Sequence, residues 1–227
     1  MYQSWLTETF NIKYPILCAP MFLVTNEEIV IEASKAGILG CIPALNFKTP
    51  QLFKKGLLNI KENIEGAFGV NLIVNQSNPY FKAQLEICLE IEPDFIVTAL
   101  GNPEEVINAF KSKKTKIICD IINLDMAKKC EKLGADALIA VNSAAGGHCG
   151  TLPASILIPS LLKHCSLPII SAGGVGEGKG LLSILSLGAT GVSIGSPFIA
   201  TKESPVGEDY KQACVDFGAK DIVKTTK

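Results

Sequence analysis

Eight short apolar runs, each followed by a segment with helical boundary signals, constrain this chain more than any other feature. The runs cover residues 16–19, 38–42, 67–70, 95–98, 116–119, 137–141, 168–171 and 191–194. Continuous apolar strands that alternate with helices indicate a parallel sheet whose outer face is covered. Eight such units of about 20–30 residues predict an α/β fold of the (β/α)8 TIM-barrel type, with an open doubly wound sheet as the alternative.

Residues with capping chemistry mark where the helices begin. Thr25 and Asn26 can each cap the helix after the first strand, and Glu28 three residues beyond Thr25 gives a capping-box pattern. Asn102 followed by Pro103 predicts an N-cap with proline at the first helical position. These signals, together with glycines at several helix ends, give the chain the same alternation from beginning to end.

Length and composition favour one globular domain over residues 1–227. A single α/β barrel commonly takes about 200–250 residues, and no linker or low-complexity segment divides the chain. Hydrophobic residues make up 48% and charged residues 19%, which argues against disorder. No apolar run approaches the roughly 18 residues of a membrane span, and the first five residues do not resemble a signal peptide. We therefore expect a cytoplasmic protein with no membrane partner.

Charge and ligand chemistry exclude two further classes. The 21 basic residues are all lysine, against 22 acidic residues, so the chain lacks the basic excess and the arginines typical of nucleic-acid binding. The eight cysteines never form a C-x-x-C pair, and His148 and His164 are the only histidines. This spacing predicts reduced thiols and no metal site.

In a parallel barrel the active site is built by the loops that follow the carboxyl ends of the strands. In this chain those positions are mostly small or polar, whereas the opposite loops are rich in charge. The candidate cofactor-binding residues on this face are Ala19, Pro20, Met21, Asn71, Asp120, Ala145, Gly146, Gly147, Ala172, Gly173, Gly174, Gly195 and Ser196.

The last two of these loops predict a phosphate site. Residues 171–176 and 193–196 expose backbone N–H groups beside helix starts, and strands seven and eight are where this fold commonly binds phosphate. Gly173 to Lys179 also satisfies G-x-x-x-x-G-K, but Gly180 stands where a nucleotide hydrolase needs Ser or Thr to bind magnesium. The loop is therefore not the P-loop of an ATPase.

His148 is the candidate catalytic residue. It lies between glycine pairs in Ala145-Gly146-Gly147-His148-Cys149-Gly150, where the backbone can approach a flat ligand closely. Imidazole side chains exchange protons near neutral pH, which suits abstraction of a carbon-bound proton. His164 lies near a helix end without polar neighbours, so we assign it a structural role.

Together these motifs resemble the nitronate monooxygenases, formerly called 2-nitropropane dioxygenases, which are FMN-dependent barrels. The resemblance spans nearly the whole chain in the right order, and the A-G-G-H-x-G element is its most specific part. It implies that Met21 and Asn71 contact the flavin and that Gly146 and Gly147 pass beside it. It also implies His148 as the base and places the FMN phosphate on Gly173, Gly174, Gly195 and Ser196.

The chain departs from the family pattern in two respects. The family commonly has Gln and Glu shortly before A-G-G-H, where this chain has Val141 and Ala144, so Asn142 or Ser143 is expected to replace a flavin contact. Family members also usually run about 100 residues longer. We therefore expect that a segment after Lys227, which would cover the substrate pocket, is missing.

The resemblance implies oxidation of alkyl nitronates and nitroalkanes with FMN and O2, giving a carbonyl compound and nitrite. The partners are then a small nitronate or nitroalkane and O2, and a homodimer is allowed. A flavin-dependent enoyl-ACP reductase that uses NAD(P)H shares the A-G-G-H-x-G loop and is the main alternative. A non-catalytic flavin-binding remnant is the other, because of the departures at Val141 and Ala144.

Overall fold

A computed structural model describes residues 2–225, so Met1, Thr226 and Lys227 lie outside the described residues. The expected segment after Lys227 also lies outside the described residues. Its eight parallel strands close into a barrel in chain order, with β1 paired to β8. This closure confirms the predicted (β/α)8 fold and excludes the open sheet. The strands are β1 (Ile16–Cys18), β2 (Leu39–Pro43), β3 (Phe68–Ile73), β4 (Phe95–Ala99), β5 (Lys116–Ile121), β6 (Ala137–Val141), β7 (Ile169–Ala172) and β8 (Gly191–Ile194).

A helix follows each strand on the outside of the barrel. They are α2 (Glu27–Lys35), α3 (Pro50–Asn63), α4 (Phe81–Ile91), α5 (Glu104–Phe110), α6 (Leu124–Leu133), α7 (Ala154–His164) and α8 (Gly178–Ser186), with α9 (Ser196–Ile199) and α10 (Glu208–Asp216) after β8. Short 3-10 turns lie at Ala44–Asn46 and Ala219–Asp221, and α1 (Trp5–Phe10) precedes β1. Among residues 2–225, no helix is both long and apolar enough to cross a membrane.

Alternation along the strands divides the apolar residues into two packed layers. Leu17, Phe95 and Ile118 belong to the cluster inside the barrel, whereas Val70 and Ile117 belong to the cluster between strands and helices. Both layers are buried, which is why the strands are apolar at nearly every position rather than at alternate ones.

Helix α1 closes the amino-terminal end of the barrel, an element that the sequence pattern did not predict. Leu6 is fully buried and Phe10 nearly so, and both pack with the interior cluster. The rings of Phe10 and Phe95 lie 5.2 Å apart, and the Leu6 N–H donates to Thr190 Oγ1 at 3.1 Å. With this end filled, the opposite end is left as the open mouth of the barrel.

The structure selects one of the two predicted caps of α2, and it moves the start of α5 by one residue. Asn26 is the N-cap of α2 and accepts from the Ile29 N–H at 2.9 Å, while Thr25 bonds within the preceding loop. Helix α5 begins at Glu104 with Pro103 in the cap position, one residue later than expected, and Asn102 makes no capping bond to a backbone N–H.

Candidate active site at the barrel mouth

The fold places all fourteen candidate site residues towards one end of the barrel, because each lies near the carboxyl end of a strand or in the loop that follows it. The strand register keeps the ends of neighbouring strands level. Ala172 of β7 lies in register with both Val141 of β6 and Ser193 of β8. Direct contacts then join the candidates into two groups, one between the loops after β6 and β7, and one between those after β8 and β1.

The loop after β7 packs against the loop that carries His148. A Cβ atom on Gly173 would lie 2.4 Å from the Ala145 backbone nitrogen and 2.7 Å from its Cα, so only glycine allows this approach. Gly173 and Gly174 also have φ values of +109° and +75°, which side chains of L-residues rarely adopt. The two glycine-rich motifs therefore meet backbone to backbone.

The same loop leaves backbone donors free. Within residues 2–225, the N–H groups of Gly174, Val175 and Gly176 donate to no protein acceptor, and α8 begins directly after them at Gly178. Ser196, at the start of α9, likewise donates its N–H to no described acceptor. Free amide donors grouped in this way are suited to the oxygens of a phosphate group.

The loops after β8 and β1 form the second group. A Cβ atom on Gly195 would lie 3.1 Å from Met21 Sδ and 3.9 Å from the Ala19 Cβ. Thr25, which is fully buried, shapes the β1 loop by donating from Oγ1 to the Ala19 carbonyl at 2.8 Å and accepting from the Met21 N–H at 3.0 Å. The sequence predicts only a capping role for Thr25, because the two loop contacts that it makes depend on the folded path of residues 19–25.

Asn71 and Asp120 face the barrel interior near the mouth. Asn71 is buried and donates from Nδ2 to the Val97 carbonyl at 3.2 Å, so its Oδ1 is left without a partner among the described residues. Asp120 makes no side-chain hydrogen bond within residues 2–225, and protein encloses its carboxyl group although part of the residue reaches solvent. Burial raises the pKa of Asp120 to about 7.

His148 lies in the exposed part of the β6–α7 loop, together with Gly146 and Gly147. Around these two glycines a Cβ atom would meet no heavy atom within 4 Å. No side-chain hydrogen bond of His148 to another described residue is present. The loop thus presents an imidazole and an open stretch of backbone on the mouth of the barrel.

Asn142 is not available as a flavin ligand, although the sequence suggested it as a substitute. Its Nδ2 donates to the Gly173 carbonyl at 3.0 Å, and its Oδ1 accepts from the Ala144 N–H at 2.8 Å. The residue is 1% exposed. The amide is therefore used within the protein, and Ser143 stays as the predicted substitute.

Exposed apolar side chains surround the mouth. They follow β1, β4, β5 and β6 and comprise Phe22, Leu23, Leu100, Ile122 and Leu152. Leu23 and Leu100 are held in the left-handed backbone region, with φ values of +60° and +57°. A strained backbone that exposes a large apolar side chain is more typical of a ligand-binding loop than of a stabilising one.

These features fit a phosphorylated cofactor with a flat ring. A chain without arginine needs other donors to bind a phosphate dianion, and the free backbone amides at residues 174–176 provide them. Open backbone at Gly146 and Gly147 allows a ring to approach. The fold and the candidate site together are those of a (β/α)8-barrel enzyme, with the barrel mouth as the candidate cofactor site.

Known proteins identify the class more closely. The sequence matches the family described as nitronate monooxygenase over residues 3–83 and 76–227, and the chain belongs to this family. A probable nitronate monooxygenase of Staphylococcus haemolyticus is 29% identical over 269 residues, which cover 99% of this chain and 75% of that protein. The protein is accordingly an oxidoreductase that uses a flavin, which confirms the resemblance seen in the sequence motifs.

Two solved structures superpose closely on this barrel. FabK from Thermotoga maritima superposes with a TM-score of 0.92 at 29% identity, covering 98% of this chain and 71% of FabK. Nitroalkane oxidase from Streptomyces ansochromogenes superposes with a TM-score of 0.83 at 24% identity, covering 92% and 72% of the two chains. The second similarity supports the barrel fold.

Proposed function

We propose that this protein oxidises alkyl nitronates and nitroalkanes with bound FMN and O2, forming a carbonyl compound and nitrite. The observation that carries the proposal is the contact between the His148 loop and the glycine loop after β7, where Gly173 leaves no room for a Cβ beside Ala145. This contact brings a candidate base and a candidate phosphate site to one edge of the barrel mouth.

The chain would hold the cofactor mainly through its backbone. Free N–H groups at Gly174, Val175, Gly176 and Ser196 support the phosphate of FMN. Met21, which lies against Gly195, and the free Oδ1 of Asn71 are suited to the ring. Ala19, Pro20, Asp120, Ala145–Gly147 and Ala172 complete the proposed cofactor residues. Bound FMN supplies the two-electron oxidation and its coupling to O2.

His148 acts on the proton of the substrate. For a neutral nitroalkane, its imidazole removes the proton on the carbon next to the nitro group, a step that general bases accelerate about 10²–10⁴-fold. An alkyl nitronate has already lost this proton, so with this substrate His148 positions and stabilises the anion. The exposed position of His148 and its lack of described hydrogen-bond partners leave the ring free for both roles.

The mouth favours substrates whose remaining part is apolar. Leu23, Leu100 and Ile122 offer exposed apolar surface, and charged side chains are sparse on the loops around them. Lys48 and Lys202 lie on loops of the same face, but no described contact directs either towards His148. We therefore expect alkyl nitronates to be better substrates than carboxylated ones.

Flavin reduction tests the proposal directly. Purified protein loaded with FMN should be bleached by ethyl nitronate under anaerobic conditions, and aerobic turnover should release nitrite. Reduction by NADH without reduction by ethyl nitronate would contradict this function. Loading with FAD or riboflavin in parallel tests whether FMN is the flavin that binds most tightly, and protein that binds none of the three would overturn the cofactor assignment.

The enoyl-ACP reductase is the second candidate, because the apolar mouth would also accept an acyl chain. This enzyme needs a hydride donor rather than O2, so NADH or NADPH should reduce its flavin and an enoyl thioester should reoxidise it. The same anaerobic experiment separates the two enzymes. A flavin-loaded protein that reacts with neither class of substrate would favour the non-catalytic alternative.

A further inference from the structure

We propose that Asn142 is a positioning residue that fixes the loop carrying His148 on the glycine loop after β7. The proposal rests on the proposed function for the roles of these two loops. It adds a residue that binds neither flavin nor substrate but sets where the base lies relative to the phosphate-binding backbone.

Three hydrogen bonds of the Asn142 side chain join the two loops. Its Nδ2 donates to the Gly173 carbonyl at 3.0 Å and to Ser171 Oγ at 3.4 Å, both on the β7 side. Its Oδ1 accepts from the Ala144 N–H at 2.8 Å, at the start of the His148 loop. A buried amide with both ends bonded has one orientation, so it holds both partners in place.

The His148 loop has few other attachments. Its backbone bonds run from Ser143 N to the Leu152 carbonyl, from Ala145 N to the Asn142 carbonyl and from Cys149 N to the Gly147 carbonyl. Within the part of the chain that the structure describes, Asn142 makes the only side-chain hydrogen bond to residues 143–150. Loss of this amide would therefore free the loop at the point where it leaves β6.

The position of the amide explains how this chain manages without the polar residues expected nearby. Val141 and Ala144 replace the Gln and Glu that the family resemblance implies, and Val141 packs with the interior cluster. Asn142 lies between them on the outward side of the strand end and bonds to Gly173. A base must be held close to its working geometry, and this amide fixes the loop at Ala144, four residues before His148.

Two variants and one matched control test the proposal. Asn142→Ala removes all three side-chain bonds, and Asn142→Asp keeps the acceptor for the Ala144 N–H but loses the donor to Gly173. Asn78→Ala is the control, since Asn78 is also buried on this face and makes three side-chain hydrogen bonds, to the Ile73 carbonyl, Gln84 and the Tyr80 N–H.

Hydrogen exchange of the flavin-free protein gives the first readout. We expect backbone exchange at Ser143, Ala144 and Ala145, whose N–H groups have acceptors, to become at least about tenfold faster in Asn142→Ala, with a smaller change in Asn142→Asp. Asn78→Ala should accelerate exchange near residues 74–80 instead. Unchanged exchange at Ser143, Ala144 and Ala145, or equal acceleration there in Asn142→Ala and Asn78→Ala, would overturn the proposal.

Steady-state kinetics gives the second readout. In Asn142→Ala, kcat for neutral nitroethane should fall at least tenfold more than kcat for ethyl nitronate, because only nitroethane needs the base for proton removal. Equal losses for both substrates would show that Asn142 has only a structural role. If the wild-type protein oxidises neither substrate, the proposed function fails, while the exchange data still decide whether Asn142 holds the loop.

A measurement on the wild-type protein covers the case in which Asn142→Ala does not fold. The Ala144 N–H is bonded to Asn142 Oδ1, whereas the Gly146 N–H has no acceptor among the described residues. NMR exchange should therefore show Ala144 protected at least tenfold more than Gly146. Equal protection of the two amides would contradict this role of Asn142.

Discussion

Met21 Sδ lies 3.1 Å from the point that a Cβ atom on Gly195 would occupy. The contact sits at the seam where β8 pairs with β1, and the Ala19 N–H donates across this seam to the Ile194 carbonyl at 2.8 Å. A glycine at residue 195 therefore sets how far the Met21 side chain can extend towards the neighbouring strand. If Met21 contacts the flavin, small changes at Gly195 should alter the affinity for the cofactor.

Gly195→Ala should displace Met21 and weaken FMN binding about tenfold, or about 1.4 kcal/mol. The protein should stay folded, because the φ of Gly195 is −112° and the Met21 side chain is flexible. Titration of flavin fluorescence measures the Kd. Gly207→Ala is the control, since a Cβ there meets nothing within 4 Å. An unchanged Kd for FMN in Gly195→Ala would contradict a contact between Met21 and the flavin.

Gly173→Ala should lower the free energy of unfolding by about 2–4 kcal/mol, since it adds a clash with Ala145 to an unfavourable positive φ. Urea unfolding of the flavin-free protein measures the change. Gly176→Ala in the same loop has open space and should change stability by no more than about 0.5 kcal/mol. Equal stability of the two variants would refute the close contact between the loops.

His148→Asn should reduce turnover of neutral nitroalkanes at least about 100-fold, because the general base is lost. Turnover of preformed nitronates should fall less, since their proton is already gone. Nitrite release with nitroethane and with ethyl nitronate measures both rates. His164→Asn, in the last turn of α7, serves as the control and should leave both rates unchanged. Full nitroethane activity in His148→Asn would remove this residue from the mechanism.

Asp120 should make stability depend on pH in the direction opposite to most carboxylates. Burial raises its pKa to about 7, so between about pH 4 and 7 the folded protein keeps a proton that the unfolded chain releases. The contribution of Asp120 to stability is thus present below about pH 4 and is lost as pH rises to 7. The full change is at most about 4 kcal/mol, and less where water reaches the carboxyl group.

Asp120→Asn should remove this dependence and stabilise the flavin-free protein above pH 7. Urea unfolding at pH 5, 6, 7 and 8 measures the slope against the wild-type protein. The matched control is Asp209→Asn, which changes an exposed carboxylate in α10 and should leave the slope as it is. Parallel pH curves for the wild-type protein and Asp120→Asn would contradict a buried, protonated Asp120.

Leu23→Gly should stabilise the protein by about 1 kcal/mol, because it relieves the left-handed backbone of a leucine whose side chain is 63% exposed. Leu23→Ala keeps the strain and is the comparison for the side chain alone. Both variants should raise KM for longer alkyl nitronates more than for ethyl nitronate. A KM that is independent of chain length in both variants would remove Leu23 from the substrate site.

Local sequence patterns predict much of the architecture. All eight predicted strands are present with bounds within three residues, because an apolar run between capping and turn residues depends on local chemistry. Helix α1 was missed, since Leu6 and Phe10 gain their role only from packing into the closed end of the barrel. The short helix α9 was missed for a similar reason, because it consists of four residues with no apolar period.

Residues 1–227 by themselves determined the order of strands and helices, the glycine-rich loops and the face on which His148 would lie. Only the tertiary structure decided that Asn142 bonds across to Gly173, that Thr25 shapes the loop of Met21, and that the carboxyl of Asp120 is enclosed. The physical reason is the sequence separation over which each interaction acts. Periodicity and capping act over a few residues, whereas these contacts depend on the closure and register of strands that are distant in the chain.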